Sequence, residues 1–573
     1  MRTMEVTNVV SNPGELHTLG TAKIPYNSRL QDAEIIEAVT IKANGDKLPV
    51  DKSAILTQDA PGPNNVTMIQ DLKFKIIVFP RLEVGDSVYY KAKITQKAPE
   101  FPKRFSFAQV FPGNTLWDDA QVTVSAPKTY PLHIKAVGVA GGTPVDHGDT
   151  RTWTWTYRNM VARPLEPGMV SLAMNSPHVL VSSFGDYRDL AAAYQAGAHD
   201  KAKVTPAIQS LADELTQGVD DQRGQVKRLY DWVTRNVRYV ANFLDIGGYI
   251  PHAADTVLAN RYGDCKDHVV LLEALLVAKG IASTPALIDA KPNYALPEVA
   301  IPQAFNHVIT YVPSLDLYLD STNPYAPFGV LPFEDTGKPV IHTAAYDGIQ
   351  RTPVSANDNV SVSKTTFVFD KDGAVNGKIQ INSHGPIGIL MRGLAASIPP
   401  MRETDFLRQV FIHAGLPDAQ GSLERSDNVD TGVNAFSIRY GGKNALNVSS
   451  AGALTLEPPF TNPLSLNGAL RSLAIQERKY PYLCASRAVE ENFEVTFPDN
   501  VKVVTIPKAI NIKTADASYQ STYRLEGSKL FANRKFFTGL KSNVCEASSY
   551  KEHHGMTEAI ASDLKSQILY QIQ

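Results

Sequence analysis

The chain has 573 residues, which at about 150 residues per domain suggests three to four domains. Its 56 Lys and Arg nearly cancel its 58 Asp and Glu, so it lacks the excess of positive charge that drives nucleic-acid binding. With 43% hydrophobic and 20% charged residues it can build packed cores, and no apolar run is long enough to predict a membrane span.

The first residues, Met1–Val10, carry one early Arg, and Glu5 interrupts them before an apolar stretch can form. They do not read as a signal peptide. The expectation is either a cytoplasmic protein or an exported one whose leader has been removed.

To about residue 165 the chain is β-rich. Lys73–Phe79 leads through Pro80 and a Gly85-Asp86 turn into Ser87–Ile94, and Phe105–Phe111 ends at Pro112-Gly113. Trp153, Trp155 and Tyr157 alternate with Thr154 and Thr156, giving a strand with one aromatic face. That face reads as core, or alternatively as the wall of a carbohydrate groove.

Residues 166–355 mix α and β. Thr205–Leu215 looks helical, and Arg223–Tyr239 places Val226, Leu229, Tyr230, Val233 and Val237 on one helical face. Pro251–Ala259 is a short helix candidate. Lys266–Lys279 is apolar around most of its circumference and stops at Gly280, which predicts a buried central helix. Strands are expected at Thr284–Asp289, His307–Val312 and Asp316–Asp320.

From 356 to 573 the chain turns β-rich again. Lys364–Asp370 and Lys378–Ser383 flank Asp370-Lys371-Asp372-Gly373, a hairpin turn whose Gly comes too early for a calcium loop. Further strands are expected through Val495, at Val501–Ile506 and at Ser518–Leu525. Thr557–Ile572 reads as a final helix with Thr557 as N-cap.

The three cysteines are Cys265, Cys484 and Cys545, with no Cys-x-x-Cys among them. This removes thioredoxin-like and zinc-ribbon chemistry and leaves no metal site to expect. Cys265 follows Gly263-Asp264 at the start of the apolar helix. There the unpaired N–H groups and the positive dipole end favour a thiolate, and the residue's own N–H can help hold an oxyanion. A cysteine nucleophile also needs a base, itself oriented by a third group. His307 and Asp320 are the candidates. With Tyr311 opposite Asp316 across a turn about Pro313-Ser314, His307 falls opposite Asp320, close enough for an imidazole–carboxylate contact. His268, three residues after Cys265, is a rival base, but its place on the same helix makes alignment with Asp320 difficult. Asp264 and Asp267 read as helix-start charges.

At Gly263-Asp264-Cys265-Lys266-Asp267, Asn306-His307-Val308 and Leu319-Asp320-Ser321-Thr322 the sequence resembles transglutaminase-like domains. Tyr230-Asp231-Trp232-Val233 and Gly248-Tyr249-Ile250-Pro251 are similar to their bacterial branch. Phe79-Pro80 and Val84-Gly85-Asp86 resemble the β-domain DUF3857 that precedes such cores. The resemblance implies a multidomain α+β protein: an N-terminal β-sandwich-like domain (1–165), a papain-like transglutaminase core (166–355) and a C-terminal β-rich domain (356–573). It implies Cys265 as nucleophile, His307 as base and then acid, and Asp320 as orienter. Tyr249 is the candidate for a second oxyanion donor, although a buried core tyrosine fits that segment equally well. A periplasmic or secreted setting follows from the resemblance, and with it a disulfide between Cys484 and Cys545, the alternative being two free thiols in a cytoplasmic protein.

The expected activity is acyl transfer from a carboxamide or peptide carbonyl through a thioester, without a cofactor. The partner is a protein, peptide or other amide-bearing substrate, and the sequence gives no oligomeric state. Two other readings stand beside it. One is a non-catalytic scaffold whose β-domains bind protein or glycan. The other is arylamine acetyl transfer from acetyl coenzyme A, for which no clustered basic segment exists.

Overall fold

The computed structural model describes residues 1–59, 72–240, 248–355, 358–428, 433–460, 465–471, 475 and 477–573. The architecture is mixed α and β, with several β units around a central core.

The N-terminal part holds two small β units. In the first, Ser87–Gln96 pairs antiparallel with both Arg2–Val9 and Gln31–Ile41, and Leu72–Val78 pairs with Thr21–Asn27 and Ile55–Asp59. Ile24 and Ile77 of one sheet meet Ala38, Val88, Ala92 and Ile94 of the other, so two layers share one core. In the second unit Trp117–Pro127 pairs with Thr150–Asn159. Trp155 is buried there against Phe111, Val179 and Val181, with Trp153 and Tyr157 packed alongside. The aromatic face is core, not a groove. Strand pairing joins residues on the two sides of position 165: His178–Ser182 pairs with Ser106–Val110 and His133–Val137.

The central core is built on the helix Cys265–Ala278, with twelve of its fourteen residues buried. Leu271, Leu272, Leu275 and Leu276 pack against Ile208, Val226, Leu229 and Val233 of the helices Pro206–Thr216 and Gln222–Asn236. Each such side chain contributes roughly 1.5–3 kcal/mol through burial, and together they fix the depth at which Cys265 sits. Gly280 closes the helix with φ +69°, the left-handed conformation that glycine adopts without steric cost.

Two helix bounds differ from expectation. The 222–236 helix stops before Arg238–Tyr239, which pairs in parallel with Tyr262–Gly263. The short helix runs Ala254–Asn260, because Pro251 stands outside it and Arg261 turns left-handed at its end.

Beside the central helix lies a five-stranded antiparallel sheet. Its order is Leu317–Leu319, His307–Val312, Thr284–Ile288, Pro339–His342, Ile349–Arg351. The turn between its first two strands departs from expectation. Pro313–Leu315 forms a 3-10 turn and Asp316 adopts φ +46°, so the turn is centred one residue later. Tyr311 therefore faces Tyr318 instead of Asp316, a register shift of two residues. A shift of two preserves the face of every side chain, whereas a shift of one would have reversed it.

The C-terminal part is an eight-stranded sheet, antiparallel except where Val360–Phe369 runs parallel to Arg487–Thr496. The hairpin about Asp370 is present, with Asp370 Oδ1 accepting from Asp372 N and Ala374 N. The final helix is a correction. It spans Tyr550–Leu564, with Thr557 in its interior, and Gln567–Ile572 is a strand between Gly452–Thr455 and Val501–Thr505. Ile568 and Tyr570 are buried and Leu569 is exposed, an alternation of period two that belongs to a strand.

Candidate active site

Cys265 is the first residue of the central helix and is 1% exposed. The local sequence explains how it is held. The Asp264 side chain accepts from Asp267 N, and the Asp267 side chain accepts from Asp264 N, each at 3.3 Å, a reciprocal capping box. Gly263 is required because a Cβ there would come within 2.5 Å of Asp267 Cβ. Lys266, 2% exposed, pairs with Asp264. Asp267 also accepts from the backbone N–H of His252 at 2.9 Å, which ties the segment carrying Tyr249 to the helix start. Asp264 and Asp267 are thus structural at this helix start.

His307 opens its strand opposite Ile288. Asn306 anchors it by donating to Asp289 Oδ1 and accepting from Ala290 N. Asp320 follows directly after Leu317–Leu319. Tyr230 donates to its carbonyl at 3.0 Å, and His268 Nδ1 lies 2.9 Å from the carbonyl of Ser321. Thr322 donates to Asp320 Oδ1 through both its N–H, at 2.9 Å, and its hydroxyl, at 2.6 Å.

The remaining oxygen, Asp320 Oδ2, lies 3.4 Å from His307 Nε2. Cys265 lies near enough to the same ring to raise the pKa of the imidazole. The structure therefore brings Cys265, His307 and Asp320 together. The 3.4 Å contact is looser than a tight hydrogen bond.

Electrostatics favour the charged imidazole. Burial alone would lower the His307 pKa, but the Asp320 carboxylate and Cys265 raise it well above its ordinary value. Burial alone would likewise raise Asp320, but the imidazolium and the Thr322 donors bring it below the usual carboxylate range. His268, the rival base, is fully buried, its pKa pushed down by burial to about 4, and its Nδ1–H donates to the Ser321 carbonyl. It is a neutral residue that holds the Asp320 loop.

Tyr249 is 1% exposed and shares an apolar cluster with Cys265, Phe305 and Val308. Phe101, from the N-terminal part of the chain, joins this cluster with its ring 5.1 Å from that of Tyr249. The N-terminal part thus contributes to the wall beside Cys265.

Cys484 and Cys545 are bonded, with Cα atoms 5.7 Å apart, next to the short ladder of Tyr482–Leu483 with Val544–Cys545.

One residue at this site was missed from sequence. Asp335, 1% exposed, lies in the turn Phe333–Asp335 and brings a carboxylate oxygen within 4.8 Å of ligand atoms of both His307 and Asp320. Nothing in Phe333-Glu334-Asp335 signals this, because the loop from Asp320 reaches the site by tertiary packing alone. Among the described residues this trio is the one metal-like grouping.

Three family models match parts of the chain. The model of a domain of unknown function with solved structure, DUF3857, matches residues 2–164. The transglutaminase-like superfamily model matches 209–303, and a second domain of unknown function, DUF3858, matches 452–570. A crystal structure from Parabacteroides distasonis ATCC 8503, described as that of a candidate protease, superposes with TM-score 0.70 at 15% identity, covering 100% of this chain and 95% of that one. That likeness is one of fold. A candidate cysteine protease from Cytophaga hutchinsonii matches 52% of this chain and 79% of its own at 11% identity, but its TM-score of 0.17 carries no weight. No curated protein matches the chain.

Proposed function

We propose that the chain, in which a transglutaminase-like match at 209–303 lies between a DUF3857 match and a DUF3858 match, is a cysteine-dependent acyl-transfer enzyme acting on a carboxamide or peptide bond. The observation that carries this reading is the convergence of Cys265, His307 and Asp320 at the start of a buried helix.

Cys265 sulfur attacks the carbonyl carbon, and the oxyanion is held by the Cys265 N–H and, as the second donor, the Tyr249 hydroxyl. His307 passes a proton to the leaving ammonia or amine, which departs as the thioester forms. Water or a second amine then attacks the thioester, His307 accepts its proton, and the thiol is restored. Asp320 orients the ring and stabilises the imidazolium without itself moving a proton. The disulfide supports an oxidising compartment, periplasmic or extracellular, as the place of action.

The test is to incubate the protein with glutamine-containing peptides and an amine donor, and to follow peptide fragments, released ammonia and amine incorporation by mass spectrometry. One of the three products should form with the wild type and none with Cys265→Ala. Silence in all three across a broad peptide set would favour the scaffold reading.

A further inference from the structure

Asp335 is buried, and neither of its carboxylate oxygens meets a hydrogen-bond donor among the described residues. One of them lies within 4.8 Å of both the His307 ring and the Asp320 carboxylate. A bare carboxylate held there would be desolvated, unpaired and beside a second negative charge, which costs several kcal/mol. Two carboxyl groups in such a space share a proton. Asp320 has its donors in Thr322 and faces the His307 ring, whereas Asp335 has none.

We propose that Asp335 is a positioning residue of the site. It carries a proton, donates it in a hydrogen bond to Asp320, and so extends the series Cys265–His307–Asp320 by a fourth member. The proposal rests on the catalytic reading of that trio for its consequence, though not for the presence of the proton.

The surroundings agree. Burial, then the charge of Asp320, raise the Asp335 carboxyl well above the usual range, against the opposing charge of His307, and Glu334 on the same turn adds to the rise. The other groups that feel its charge are Tyr230, Tyr239, Tyr294 and Lys338. Lys338 gives its ammonium to the carbonyls of Lys291 and Asn293, not to Asp335. With a proton in place, Asp335 has a carboxylate oxygen of Asp320 within 4.8 Å to turn it toward.

A neutral donor on Asp320 draws charge away from the oxygen that faces His307 and so moderates how tightly the imidazolium is held. Removing the donor should make His307 more basic. An amide at position 335 is also a neutral donor and should substitute.

Infrared spectroscopy of the folded protein tests the proton directly. Other buried carboxyls, Glu273 among them, also hold protons near neutral pH, so the reading is a difference spectrum: one protonated-carboxyl band should be lost in Asp335→Asn relative to the wild type. A difference spectrum in which no such band is lost overturns the proposal. One bound divalent cation per chain, lost in Asp335→Asn, overturns it as well, because a cation would then take the place of the proton.

The consequence is read from the pH profile of Cys265 alkylation. Asp335→Asn should follow the wild type. In Asp335→Leu the high-pH limb set by imidazolium deprotonation should move up by about one pH unit, within the range for loss of a neighbouring interaction. Equal profiles in all three proteins would refute the role. A His307→Ala profile indistinguishable from wild type would instead refute the catalytic trio, and the infrared band would still decide where the proton is.

Discussion

His307 Nε2 and Asp320 Oδ2 lie 3.4 Å apart although the two residues are not direct cross-strand partners. They meet because the register of the two strands, moved by two residues from the simplest hairpin, keeps both side chains on one face. The Asp320 loop is then held from behind by Tyr230 and His268. The contact is a property of the loop as much as of the ladder.

Asp320→Asn should keep the fold and lower turnover by a factor on the order of 10²–10⁴. An amide can orient the imidazole but stabilises the imidazolium far less, and a loss near the upper end follows where the wrong tautomer is favoured. Steady-state kinetics with whichever substrate the peptide screen identifies, together with a thermal melt, checks this. Wild-type kcat in Asp320→Asn would remove Asp320 from the mechanism.

Tyr249→Phe separates oxyanion binding from packing, since it keeps the ring against Phe101 and removes only the hydroxyl. If the hydroxyl donates to the oxyanion, kcat should fall by about 10²-fold with KM little changed. A loss of stability with kcat intact would make Tyr249 a core residue, the alternative its burial allows.

Much of the site was legible in the sequence because its parts are local. Gly263-Asp264-Cys265 shows the helix start, and the apolar run behind it shows the burial. His307 and Asp320 sit at strand ends where alternation fixes their face. What could not be read depends on distant packing. Asp335 comes from a loop without periodicity, and Phe101 reaches the core from another part of the chain. At the C-terminus the helical reading of Thr557–Ile572 missed the alternation of Ile568 and Tyr570, because Lys565-Ser566 between helix and strand contains neither Gly nor Pro.

The Cys484–Cys545 bond closes a separation of 61 residues. In the chain-entropy model that is roughly 4 kcal/mol of stabilisation. Urea unfolding of Cys484→Ser/Cys545→Ser against the wild type should show a loss of this order, and reductant should lower the wild type toward the variant while leaving the variant unchanged. Equal stability would mean the unfolded chain is already restricted in this region.

Glu273 lies on the central helix, and burial pushes its carboxyl up to about 7. Its folded value lies above its unfolded one, so the neutral side chain costs nothing below about pH 4.5 and stability is lost as pH rises through 7. Glu273→Gln should therefore match the wild type near pH 4 and exceed it at pH 8 by roughly 3 kcal/mol. Denaturant melts at the two pH values check this. A Glu273→Gln protein less stable at pH 8 would mean that the carboxylate finds a partner when charged.

The most direct measurement is peptide mapping by mass spectrometry after brief treatment of the native protein with an amide-mimicking electrophile such as iodoacetamide. Cys265 is the free thiol of the chain. One adduct should form, on Cys265, and its rate should drop at least about tenfold in His307→Ala, because the imidazolium sustains the thiolate. Modification of Cys265 at the same rate in His307→Ala, or only after unfolding, would contradict a nucleophile activated by His307.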